Sequence, residues 1–255
     1  MTEHENMELV LKQWLYTEIG QFARQWEQAQ IEELLQNVFG YHAIQIGLPQ
    51  WPLMQQNRIS HKWYTHTDNI SDTAGLAVVC QPEQLPFATE SIDLLVLPHT
   101  LETSSDPHQV LREVERVLVP EGQVVITGFN PWSLWGARDR VPGLECLLPV
   151  PPSHQLSPWR VEDWLSLLSF DVTQERQGCY RPLCEQSKWM QRWQFLEKWG
   201  ARWWPLFGAV YVLKATKRVS SVTMVGLDWA KQKKARVRSA AVAQRHATRT
   251  YSDDT

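Results

Sequence analysis

Residues 76–131 of this 255-residue chain alternate apolar runs, polar turns and one amphipathic stretch in an order few folds accommodate. The run 76–79 stops at a polar loop that holds Leu85, Pro86 and Phe87. The run 92–97 is apolar except for Asp93, as a strand covered on both faces should be. Asp106 followed by Pro107 reads as a helix N-cap with proline at the first helical position. The helix so opened runs to about Val117 and puts Val110, Leu111, Val114, Val117 and Leu118 on one side. Pro120, Glu121 and Gly122 make a turn, and 124–127 is the next buried strand. Strand, helix and strand at this spacing form a βαβ unit, and hence a parallel sheet with helices on its faces.

The flanks extend this pattern. Residues 7–39 carry a helical apolar face and are stopped by Gly40. A first strand is expected at 42–46, ending at Gly47, a weaker second at 61–65 and a third at 76–80. After the fifth strand comes a loop holding Trp132, Trp135 and Arg138. Ser157 is placed to cap a helix over 160–168, followed by a strand at 170–173. An aromatic helix is expected at 186–204, and a last strand at 209–216. The domain reading is therefore a helical extension (1–40), an α/β domain (41–216) that includes the aromatic helix, and a basic tail (217–255) expected to be disordered.

Bulk properties remove several classes of function. The net charge of −3 excludes a chain that binds nucleic acid over its whole surface. No run of about 18 apolar residues and no leader-like N-terminus occurs, so a cytoplasmic protein is expected. Cys80, Cys146, Cys179 and Cys184 make neither a disulfide framework nor a metal-ligand spacing, so no metal is expected. Charge is unevenly spread, however. The tail, poor in large apolar residues, gathers Lys217, Arg218, Lys231, Lys233, Lys234, Arg236, Arg238, Arg245 and Arg249, so residues 217–250 are where RNA or an anionic membrane would be met. Five tryptophans between 189 and 204 favour packing on the domain, a cover over an apolar substrate, or an interfacial helix.

The order LPF…SIDLLVL…LREVERVLVPEG resembles the core of the type-11 family of class I S-adenosylmethionine-dependent methyltransferases, over about residues 43–170. That resemblance implies a Rossmann-like fold: a mostly parallel seven-stranded sheet with helices on both faces, reduced here between strands 1 and 3. It also implies a cofactor site at the carboxyl ends of the strands. In the family an acidic residue and three glycines follow strand 1. Here the acidic position is Gln45, Gly47 is the glycine that survives, and Pro49 and Trp51 stand at the other two. The family's ribose-binding acid falls nearest Asp68, with Asp72 second. Its adenine-contacting Asp falls on Gln81, whose carbonyl can accept the same hydrogen bond, and Pro82 follows it. Pro98 and His99 follow strand 4, where the fold puts groups beside the transferable methyl.

The implied ligand set is thus Gln45, Gly47, Asp68, Gln81, Pro82 and Pro98, with S-adenosylmethionine as cofactor. His99 is the expected base and Asn130 an amide facing the substrate, with Arg138 available to an anion. The expected function is methyl transfer to a small or amphipathic substrate. The alternative is a catalytically inactive relative that binds or regulates, associated with RNA through its basic tail. Departures in the glycine loop favour that alternative; the ordered match from 81 to 128 favours the enzyme.

Overall fold

The computed structural model describes residues 3–66, 76–141, 143, 146–181 and 205–218. Its strands are β1 (His42–Ile46), β2 (His61–His66), β3 (Leu76–Val79), β4 (Ile92–Pro98), β5 (Leu118–Phe129), β6 (Phe170–Gly178) and β7 (Val210–Lys217). Its helices are α1 (Glu3–Trp14), α2 (Glu18–Leu35), α3 (Thr100–Thr103), α4 (Pro107–Val117), α5 (Leu134–Asp139) and α6 (Pro158–Leu167). The strands form one sheet in the order β3-β2-β1-β4-β5-β7-β6. Pairs from β3 through β5 are parallel, and β7 runs against both its neighbours. This is the mostly parallel seven-stranded sheet expected from the sequence.

Two cores flank the sheet. On one face α4 and α6 bury Val110, Leu111, Val114, Val161 and Leu165 against Ile44, Leu95 and Ile126. On the other, α1 and α2 bury Leu11, Ile31 and Leu35 against Ala43, Leu94 and Val125. Strand β7 serves both faces through its lysines. Lys214 Nζ donates to Leu34 O in the last turn of α2 (2.9 Å), and Lys217 Nζ donates to Glu115 O (2.6 Å) and Leu118 O (3.0 Å) at the end of α4. Each buried ammonium thus meets carbonyls that a helix end leaves without partners.

The LPF loop is held by the helix that follows it in the pattern. Arg116 donates to Leu85 O and Phe87 O at 2.9 Å each, while Glu113 accepts from Leu85 N at 3.0 Å. Asp106 caps α4 as expected, its carboxylate accepting from Gln109 N. Asp93, the one polar residue in the fourth strand, accepts from Tyr41 N and His42 N and so joins β4 to the start of β1.

Three expectations need correction. The single helix over 7–39 is two helices, because Thr17 caps α2 by accepting from Gly20 N and donates to Trp14 O, which turns the chain. Gly20 is required there: a Cβ would lie 2.0 Å from Trp14 O. The turn at 120–122 is an irregularity inside β5, where pairing steps from Ile92–Leu118 to Leu94–Gln123 and Glu121 takes a left-handed φ of 63°. Ser157 precedes α6 but makes no side-chain capping bond. The aromatic helix expected at 186–204 and all of the tail beyond Arg218 lie outside the described residues.

Candidate functional site

Strands β3, β2, β1 and β4 end side by side, and the chain leaves β1 and β4 at the point where strand order reverses. Such a switch point is where open α/β sheets bind ligands. A cavity lies there, floored by Gly47 after β1, Thr65 in β2, Cys80 after β3 and Pro98 ending β4. Pro82 closes one side. Thr100 and Thr103 of α3 close another, and Glu8 and Leu11 of α1 form the roof. The enclosed space is about 20 Å³, room for little more than a water molecule. The roof helix leaves no space for a larger ligand in this structure.

Gly47 takes a φ of 83°, a conformation that penalises any Cβ, and an added Cβ would face Thr100 Oγ1 at 3.5 Å. That hydroxyl is itself tied to Ile46 O at 2.6 Å. The Cys80 thiol is pushed up by burial, only partly offset by a hydrogen bond with Thr65, so it is neutral at physiological pH. Among the described lining residues Glu8 is the one charged side chain, paired with Lys12 at 2.8 Å.

Gln45, expected to contact cofactor, turns inward. It is fully buried, its amide nitrogen lies 2.9–3.2 Å from the carbonyls of Gly47, Leu48 and Trp51, and its oxygen accepts from Leu53 N at 3.0 Å. Every polar group it owns is spent on holding the 47–53 loop. A carboxylate here has no proton to give those carbonyls, which is why an amide occupies the acidic position. In the same loop Leu48, Trp51, Leu53 and Met54 are buried in the core, so the segment that would carry two further glycines is an apolar plug.

His99, expected as a base, is also corrected. The ring is fully buried and stacked on Phe129 at 4.3 Å. Its Nδ1 lies 3.0 Å from Glu102 and its Nε2 3.1 Å from Glu27 of α2. Burial alone would lower its pKa, but the facing Glu27 charge, with Glu102 behind it, raises it to about 10. An imidazolium with both N–H groups engaged has no lone pair for a substrate proton. Burial raises the Glu102 carboxyl, against the pull of His99 and of the backbone N–H groups of Phe129 and Leu156. The residue is a strut: it fastens α2 to the ends of β4 and β5.

Asn130 is likewise consumed. Its amide donates to Leu206 O (3.0 Å) and Gln177 Oε1 (3.3 Å) and its oxygen accepts from Trp132 N (3.0 Å), which pins the chain after β5 to the 3₁₀ turn Pro205–Phe207. Arg138 pairs with the buried Asp139 at 3.3 Å. Of the remaining expected residues, Gly47, Pro82 and Pro98 line the cavity. Gln81 is exposed beside it and closes a turn with Gln84 N. Asp68 and Asp72 lie outside the described residues.

Thr65, Cys80 and Thr100 fall in the loops after strands 2, 3 and 4 where the sequence places the site, though without assigned roles, and Glu8, Leu11 and Thr103 were not singled out. Thr65, Cys80 and Thr100 each stand at a strand's carboxyl end, so strand boundaries alone were sufficient to find them. Nothing local marks Glu8 or Leu11, because the packing of α1 over the sheet is a long-range fact.

Comparison with known proteins agrees with this fold. Residues 58–126 match the family model described as a methyltransferase domain. Over 155 residues the chain is 37% identical to Uncharacterized protein YafS of Escherichia coli K12, a match spanning 60% of this chain and 62% of that one. A solved S-adenosylmethionine-dependent methyltransferase of Thermotoga maritima, described as a possible histamine N-methyltransferase, superposes with a TM-score of 0.59 at 17% identity over 81% of this chain and 94% of its own. A methyltransferase of Archaeoglobus fulgidus does so at 0.54 and 16% over 76% and 94%. At such identities what these two share with this chain is the fold.

Proposed function

We propose that this chain, which has a methyltransferase domain on the class I S-adenosylmethionine-dependent methyltransferase fold, binds S-adenosylmethionine beneath α1 and transfers its methyl group to a small or amphipathic acceptor. The observation that carries the reading is the cavity at the switch point, floored by Gly47 in a conformation suited to glycine. The lining chemistry suits the cofactor: a glycine backbone open to close approach and threonine hydroxyls for polar contacts. The volume suits it only with α1 withdrawn, since the closed cavity is far below the roughly 300 Å³ at which ligand sites begin.

When bound, the cofactor supplies an electrophilic methyl carbon. The chain's own residues hold, orient and exclude water. Gly47, Thr65, Pro82 and Pro98 form the bed, and Glu8 and Leu11 of α1, which roof it in this structure, move aside to admit the ligand. In-line placement and a dry site are the main needs of such a transfer, so a protonated His99 is no obstacle. His99 and Gln45 act by positioning the walls.

Calorimetric titration of the full chain with S-adenosylmethionine and S-adenosylhomocysteine tests the reading. Binding is expected, with Gly47→Trp abolishing it by filling the bed. An absence of heat at millimolar ligand, or unchanged affinity in Gly47→Trp, would overturn it.

A further inference from the structure

Behind the cavity lies a buried carboxylate oxygen with no partner. Glu27, His99 and Glu102 form a row of side chains closed to solvent, with a carboxylate 3.1 Å from one ring nitrogen and another 3.0 Å from the other. Each ring nitrogen facing a carboxylate oxygen is a donor, so the ring is an imidazolium and one positive charge stands between two acids. The two acids are not equivalent. Both oxygens of Glu102 accept from N–H groups, one from His99 Nδ1 and the other from Phe129 N at 2.8 Å, which is the bonding of a carboxylate. Glu27 spends Oε1 on His99 Nε2, while its Oε2 is buried without a hydrogen bond. Among the described residues no lysine or arginine pairs with either acid. Negative charge sealed from water without a counter-charge is costly, and a cation that comes near lowers that cost.

The cavity is where a cation can come near. His99 stands between Pro98 and Thr100 in the chain, and both of those line it. Thr103, a third lining residue, donates from Oγ1 to His99 O at 3.2 Å. The row is therefore the layer directly behind the cavity wall. It stays in place when α1 moves, because Glu27 belongs to α2 and is fastened to the end of β4 through His99. At an effective dielectric of about 20, a unit charge still acts over about 10 Å.

We propose that the surplus negative charge of the Glu27–His99–Glu102 row makes the cavity select a cationic ligand, and so favours S-adenosylmethionine over S-adenosylhomocysteine. This rests on the methyltransferase reading of the cavity. The sulfonium carries one positive charge. Once the methyl group has passed to the acceptor, sulfur keeps the electron pair of the broken C–S bond and any proton the acceptor loses goes to solvent. What stays in the cavity is then an uncharged thioether, held less tightly, and its release is favoured. Glu27 acts through its field and touches no ligand, so it determines specificity and is not a catalytic residue.

The test is calorimetric titration of the full chain with both ligands, in the parent, Glu27→Gln and Glu33→Gln. Glu27→Gln keeps an oxygen for His99 Nε2 and removes the charge. The parent should bind S-adenosylmethionine on the order of tenfold more tightly than S-adenosylhomocysteine. In Glu27→Gln the two should come within about threefold, through weaker S-adenosylmethionine binding. Glu33→Gln, on the same helix but paired with Arg176 at the surface, should keep the parent's ratio. A merely structural role for Glu27 would weaken both ligands alike. A parent that binds the two equally, or the thioether more tightly, overturns the proposal even if Glu27→Gln does not fold. So does a Glu27→Gln that keeps the parent's ratio or loses both ligands in proportion. A parent that binds neither ligand overturns the methyltransferase reading itself, and this proposal with it.

Discussion

The two faces of the sheet are built by different rules. The face carrying α4 and α6 follows a local grammar: Asp106 caps, Pro107 starts, and valines and leucines recur at helical spacing into one core. The Glu113 and Arg116 of that helix also explain why the LPF loop stands where it does. The opposite face has no helix of its own between β1 and β2. It is covered by α1 and α2, which precede the sheet in the chain, and by the plug around Trp51. The cavity lies between the regular and the rebuilt parts: Pro98, Thr100 and Thr103 from one, Gly47 and the α1 roof from the other. Departure from a family pattern at the glycine loop is therefore a change of scaffold, with Trp51 doing the packing an ordinary helix would do.

The most forceful way to break this contrast is to restore the family's glycines. If positions 49 and 51 only lacked a ligand-binding backbone, Pro49→Gly with Trp51→Gly would improve cofactor affinity. Because Trp51 is 2% exposed within the core, the pair should instead cost at least about 3–5 kcal/mol of stability. Urea unfolding reads this directly, and a variant as stable as the parent with tighter cofactor binding would refute the plug.

The next largest effect is expected at the strut. His99→Gln leaves Glu27 and Glu102 buried without their shared cation and should cost about 3 kcal/mol at neutral pH. Its pH dependence has a definite sign. The folded-state pKa of His99 is about 10, above its unfolded value near 6.5, so its contribution is complete below about pH 6.5 and is lost as pH rises through 10. Glu102, also raised, acts in the same sense at lower pH: its contribution is complete below its ordinary carboxyl range and lost above it. The parent's urea midpoint should fall from pH 7 to 10, and that of His99→Gln should stay flatter across the same window. Parallel profiles would show that Glu27 and Glu102 do not hold the proton on His99.

The same contrast explains what could be read in advance. Asp106-Pro107, the run 92–97 and the strand ends at Gly47 and Pro98 were legible because each is a signal within a few residues. The roles of His99, Gln45 and Asn130 were not. His99 meets Glu27 from 72 residues away and Asn130 meets Leu206 from 76, and no spacing rule announces such pairs. Gln45 bonds locally, but its partners are backbone carbonyls of a loop whose path depends on where Leu48 and Trp51 bury themselves. A polar residue at a strand's carboxyl end reads as a ligand contact from sequence. Here two of them, Gln45 and His99, proved to be braces.

The smallest effects sharpen the comparison most finely, because they set one cap against another. Asp106→Ala and Thr17→Ala each remove an N-cap and should each cost about 1 kcal/mol. Their consequences for the cavity should differ. Asp106 starts α4, whose position is secured by its buried valines and leucines, so cofactor affinity in Asp106→Ala should match the parent. Thr17 sits at the elbow between α1 and α2, and its hydroxyl bonds both Gly20 N and Trp14 O. Since α2 is fastened separately through Glu27 and His99, loosening the elbow frees α1 alone. A site whose open form is the minor population binds more weakly by that fraction, so Thr17→Ala should bind S-adenosylmethionine several-fold more tightly while being less stable. Weaker binding in Thr17→Ala would mean that α1 belongs to the bound state as a wall, and that the closed roof is the form that holds the ligand.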